Sequence, residues 1–248
     1  MRIRISKQST FLVGMIVMLI TAAFVWAVPS GPDAITEISN QRYDNAGTKS
    51  LQALAGNVSN IDLSGTTITK FWQGYYGDVT GTIVLGNALN FTLYQWASNN
   101  PEGEIYASRI PTIAWDNNIE CANDSTVRGE DTFVGSITNA SGGDVDTVNL
   151  TMNKTTHPAI TVGSHTFTNC RSTSVNAAGN GNIFWEVLLQ ENATSPVTSI
   201  YSAIIAQNTV GFDGSSHDFQ MIVPEPGSGT EAYPNGVTTT YYFFVELG

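Results

Sequence analysis

Thr238-Thr239-Thr240-Tyr241-Tyr242-Phe243-Phe244-Val245-Glu246-Leu247 gathers β-branched and aromatic side chains into one run. Such residues favour extended backbone, and this density of apolar surface must be buried or paired. Working back from it, short alternating or β-branched runs recur between clusters of Gly, Asn, Asp and Pro. The runs span Ala34–Ser39, Asp62–Phe71, Val79–Leu85, Phe91–Trp96, Gly103–Ile110 and Thr132–Thr138. Five more cover Val145–Met152, Ala159–Thr168, Ile183–Gln190, Ser199–Ala206 and Asp218–Val223. Only Thr48–Leu54 and the neighbourhood of Ile113–Cys121 read as single turns of helix. The spacing predicts an all-β chain, an antiparallel β-sandwich of immunoglobulin-like or jelly-roll-like type, behind an N-terminal hydrophobic helix.

That helix is read from Phe11–Val28, apolar except for Gly14 and Thr21 and preceded by Arg2, Arg4 and Lys7. Basic residues followed by an apolar stretch are the layout of an export signal, with Val25 and Ala27 at the small positions before a cut; the stretch could also just span a bilayer. Cleavage and retention as an anchor both remain open. In either case the bases favour the cytoplasmic side, so the chain beyond Pro29 is expected outside the cell. The chain divides into 1–28, signal peptide or anchor, and 29–248, a single extracellular β-sandwich domain. The membrane is expected as a partner only through residues 11–28, if they are retained.

Three of the ten Lys and Arg lie in the leader, leaving seven against 21 Asp and Glu, a formal charge of −14 beyond it. Nucleic acid and anionic lipid are poor partners for such a surface. Cys121 and Cys170 are the two cysteines. In an oxidising compartment they read as a disulfide, and in a reducing one as buried free thiols. Without a Cys-x-x-Cys pair or a His cluster, a zinc site is disfavoured. Seven Asn-x-Ser/Thr triplets, at Asn57, Asn90, Asn123, Asn139, Asn149, Asn153 and Asn192, make N-glycosylation the expected modification.

Catalytic signatures are missing: no Gly-x-Ser-x-Gly elbow, no His-Glu-x-x-His, no phosphate loop and no dinucleotide fingerprint occur. His157, His165 and His217 lie in turn-like or strand surroundings. His217 adjoins Asp218, but neighbours on a strand face opposite sides, which argues against a working dyad. Carboxylates cluster at Glu102 and Glu104, Glu130 and Asp131, and Asp144 and Asp146, and positions i and i+2 on a strand share a face; for the last pair, solvated acids on a turn are the default reading. The loop Gly142–Asp146 could lend oxygens to calcium but departs from the helix-loop-helix pattern at Val148 and Leu150. No enzymatic activity, cofactor or metal is expected.

Trp72, Tyr75 and Tyr76 form an aromatic cluster. Exposed, they would stack on sugar rings and make a carbohydrate-binding or adhesive module; buried, they would be core. The first strand, with Ile35 and Ile38, follows Pro29-Ser30-Gly31-Pro32 and sits on a tether that reaches its own sheet or a neighbour's. Strand donation through it would join copies into a filament, pilus-like fibre or coat. The expected partners are therefore further copies of the chain, other envelope proteins or glycans.

Several stretches, in order along the chain, resemble a family of uncharacterised exported archaeal surface proteins: Pro32–Ile35, Trp72–Gly81, Gly103–Arg109, Gly211–Asp213, Asp218–Glu225 and Tyr241–Leu247. The resemblance implies an archaeal cell envelope and an all-β domain, and it supplies no catalytic residue.

Overall fold

The computed structural model describes residues 28–42, 47–66, 68–69, 71–89, 91–98, 101–116, 118–135, 145–175, 183–193, 197–226 and 238–247. The hydrophobic helix expected near the N-terminus lies outside them up to Ala27. In chain order the strands begin with β1 (Trp72–Gly77), β2 (Gly81–Gly86), β3 (Thr92–Ser98), β4 (Gly103–Ser108) and β5 (Ile119–Cys121). After helices α1 (Asp124–Val134) and α2 (Val148–Thr151) come β6 (Ile160–Val162), β7 (His165–Phe167), β8 (Ser172–Ser174), β9 (Trp185–Glu191) and β10 (Thr198–Ile204). The series continues with β11 (Thr209–Val210), β12 (Ser216–His217), β13 (Phe219–Pro224) and β14 (Tyr242–Leu247).

The fold is antiparallel and β-rich, as the sequence predicts. Its central sheet runs β14-β4-β10-β9-β5, with β8 also on β9. Period-2 alternation sends apolar side chains to both faces. Ile105, Ala107, Leu188, Tyr201 and Ala203 join one core cluster with Val127, Met221 and Val223. Tyr106, Val187, Leu189 and Ile200 join another with Ile160, Val162, Trp115 and Phe244. Pairing β1 with β13 makes a second sheet, and β13 packs on β10 and β9. The β6–β7 hairpin reaches β4 from the other face. Gly103 is required where β4 meets β14: at φ +128°, an added Cβ would fall 2.0 Å from the Glu246 carbonyl oxygen.

Several expectations fail. Thr132–Thr138 and Val145–Met152 are not strands, because α1 and α2 occupy their described parts. Asn123 caps α1, its Oδ1 accepting from the N–H groups of Ser125 and Thr126, and Gly135 ends it at φ 70°. Asp131 of α1 then accepts from Val148 N at 2.7 Å, holding the start of α2. No strand forms at Ala34–Ser39 or in the described part of Asp62–Phe71, and no helix forms at Thr48–Leu54. The absence of a strand at Ala34–Ser39 has a covalent reason. Ser30 exchanges both backbone hydrogen bonds with Val245, and two residues on, opposite Phe243, Pro32 has no N–H to continue the ladder.

Cys121 and Cys170 form a disulfide with Cα atoms 5.0 Å apart. It ties β5 to the segment entering β8, and Cys170 is 1% exposed. Closing a loop of 49 residues stabilises the fold by about 4 kcal/mol in the chain-entropy model. Cys170→Ser should therefore lower the unfolding free energy by about that amount in urea titrations under oxidising conditions. A loss below about 1 kcal/mol would show that the crosslink is dispensable.

Candidate functional site

The sequence-predicted residues do not converge on one cleft. Trp72 is half-buried, and its Nε1 donates to the Asp146 carbonyl at 2.7 Å. Tyr75 stands edge-on to Phe243, ring centroids 5.1 Å apart. Burial, then Glu225 and Glu37, raises its pKa. Tyr76 is exposed, with the rings of Phe212 and His217 each 4.7 Å away. The cluster is thus shared between core and surface rather than forming one platform.

His217 Nε2 lies 3.0 Å from Asp213, whereas Asp218 accepts from the N–H groups of Val79 and Asn208. Asp144 lies outside the described residues, and Asp146 accepts from Thr69 Oγ1. Among the described residues no group of three His, Cys, Asp or Glu side chains could hold a metal ion, and no helix is long and apolar enough to cross a membrane. A shallow cleft of about 420 Å³ is lined by Asn153, Lys154, Thr155, Thr156 and Trp185, with Lys154 Nζ 5.0 Å from the Trp185 ring.

Of the triplet asparagines, Asn57, Asn123, Asn149, Asn153 and Asn192 are exposed, while Asn90 and Asn139 lie outside the described residues. Asn123, Asn149 and Asn192 use their side-chain oxygens as acceptors: Asn123 for the α1 cap, Asn149 for Arg171 and Asn192 for Gln190. An N-linked glycan would attach to the other side-chain atom, the amide nitrogen.

Buried acids form two systems that the sequence does not announce. Glu130, 3% exposed, receives both guanidinium nitrogens of Arg109, Ser199 Oγ at 2.7 Å and Tyr201 Oη at 2.8 Å. Burial works against the Arg109 charge, but Glu130 outweighs it and holds the guanidinium charged. Glu104 and Glu246 face each other across β4 and β14. The β6–β7 hairpin donates Thr161 N to Glu104 and Gly163 N to Glu246, and Tyr106 Oη donates to Glu246. Desolvation pushes Glu104 up to about 7 and also raises Glu246.

The remaining feature is a set of apolar side chains left exposed among the described residues. From Gly31 to Thr66 the described backbone has no strand or helix, and Ile35, Ile38, Leu51, Leu54, Val58, Ile61 and Leu63 are exposed. Among the described residues, Val245 is the one β14 position with backbone bonds on the outer edge, and its partner is Ser30. Beside it, β2 and β3 form a two-stranded ribbon apart from the central sheet. Leu247 touches its base so closely that a Cβ on Gly81 would lie 2.0 Å from the leucine Cδ1.

Comparison with known proteins returns no matching family model, no matching curated protein and no matching solved structure. The functional reading therefore rests on these surfaces alone.

The Glu104 proton has a measurable consequence. Its pKa is about 7 in the fold against 4.5 ordinarily, so between those values the folded chain binds more protons than the unfolded chain. Stability falls as pH rises through that window and levels off above it. Glu104→Gln keeps the acceptor for Thr161 N and removes the titration. Stabilities from urea titrations at pH 5 and pH 8 should differ less in this variant, by on the order of 3 kcal/mol. An unchanged difference would mean that Glu104 titrates normally.

Proposed function

We propose that this chain is an extracellular structural subunit of a cell envelope, self-assembling into a filament or coat by lending its N-terminal segment to a neighbouring copy as a β-strand. The observation that carries this reading is that the described backbone of 31–66 forms no strand or helix and exposes isoleucine at 35 and 38, Ile38 at 95%. Burying a side chain of that size on a partner contributes about 1.5–3 kcal/mol, and main-chain bonding to a sheet edge adds direction. We read the body behind it as a β-sandwich, with β1 and β13 as the layer laid on the central sheet. N-linked glycans on the exposed triplets would keep such a surface soluble.

Protein exported by its host with the leader present should form multimers visible by negative-stain electron microscopy and light scattering. Deleting Ala34–Asn40 should leave monomers whose thermal midpoint is unchanged. Wild-type protein that stays monomeric up to high concentration, or a deletion variant that assembles equally well, sinks the proposal.

A further inference from the structure

Resting on that reading, we infer that the acceptor for the donated segment is the β2–β3 ribbon, and that its occupant is residues 34–40 of a second copy of this chain. The ribbon pairs Ile83 with Trp96 and Leu85 with Tyr94. These four side chains share one face, with the two rings 4.4 Å apart, and each stays about half exposed. Val84, 49% exposed, points to the opposite face. A two-stranded hairpin in water is marginal by itself, and a third strand with apolar cover is what makes such a ribbon stable.

Segment 34–40 has the matching pattern. Ile35 and Ile38 are three positions apart, so in extended conformation they point to opposite faces. One would extend the Ile83–Leu85–Tyr94–Trp96 face and the other would lie beside Val84. The alternative acceptor, the outer edge of β14, is already engaged at Val245 by Ser30 of the same chain.

The chain's own arm does not cover its ribbon: Ile38 is 95% exposed and the four side chains of the ribbon face stay about half exposed, so that face is open to a second copy. Both surfaces lie at the β14 end of the central sheet, where the donor segment follows Ser30 and the ribbon meets the body through Gly81 and Leu247.

The test uses full-length chains exported with their leader. Ile38→Cys and Leu85→Cys variants, co-expressed as separate chains and treated with a short bismaleimide, should give a heterodimer whose linked peptides mass spectrometry identifies. Leu150→Cys in place of Leu85→Cys should give none. Leu85→Asp should raise the concentration for half-assembly about tenfold or more, as loss of one buried leucine implies.

Linkage only within a chain carrying both cysteines would mean that the arm covers its own ribbon, and the inference falls. Linkage between two Leu85→Cys copies would mean ribbon stacked on ribbon, with the same result. Assembly undisturbed by Leu85→Asp, without heterodimer, would place the acceptor elsewhere and leave the structural-subunit reading standing. Wild-type protein that never assembles removes both.

Discussion

The ladder of β4, β10 and β9 has to be buried on both faces at once, and most of the chain is organised by that need. Tyr106 and Tyr201 sit at neighbouring places in the sheet, fully buried, yet belong to opposite core clusters. A two-sided apolar sheet cannot leave either face in water. One face therefore receives β13 and α1, and the other receives the β6–β7 hairpin and the loop bearing Trp115. The disulfide belongs to the same arrangement, because β5 and β8 share the outer edge of β9 and the Cys121–Cys170 bond ties the two segments there.

Covering both faces also encloses polar groups, and the partners each one finds decide what its burial costs. A guanidinium and two hydroxyls converge on Glu130, so removing Arg109 would leave a buried acid without its compensating cation. Among the described residues no cation stands beside Glu186. It is fully buried, accepts one bond from Ile222 N, and desolvation drives its pKa well above the ordinary value. With Glu104 also raised, the formal charge of −11 overstates the negative charge carried at neutral pH.

Legibility in the sequence follows the same division. Strands of the two-sided sheet are readable because their apolar runs are nearly continuous: Ile183–Gln190 and Ser199–Ala206 anticipate β9 and β10 within about two residues. Helix α1 escapes a pattern reading because the side it buries carries Thr126, Glu130 and Asp131 beside Val127 and Val134, so the apolar stripe is broken. Its Asn123 cap and terminal Gly135 are the signals left to find it. Ala34–Ser39 has strand composition, but strand composition does not create a partner, and Pro32 withholds the next hydrogen bond. Of the two surfaces in the proposed contact, the arm is legible from its tether. The ribbon's exposure is not, because Ile83-Val84-Leu85 reads in sequence like any core strand.

An exposed strand edge is a hazard that proteins blunt with prolines, charges or covering segments. The edge of β14 is treated in that way: Ser30 caps it at Val245, and Pro29 and Pro32 flank the cap so that the pairing does not spread. The β2–β3 ribbon is not blunted. It has no proline within its strands and no charged side chain along either one, and its glycine at position 81 lets it lie against Leu247. Within one molecule, protection at one edge and apolar exposure a few residues away are hard to reconcile with indifference to partners. They fit a chain in which pairing is restricted at β14 and left open at the ribbon, with an arm of matching pattern tethered between the two.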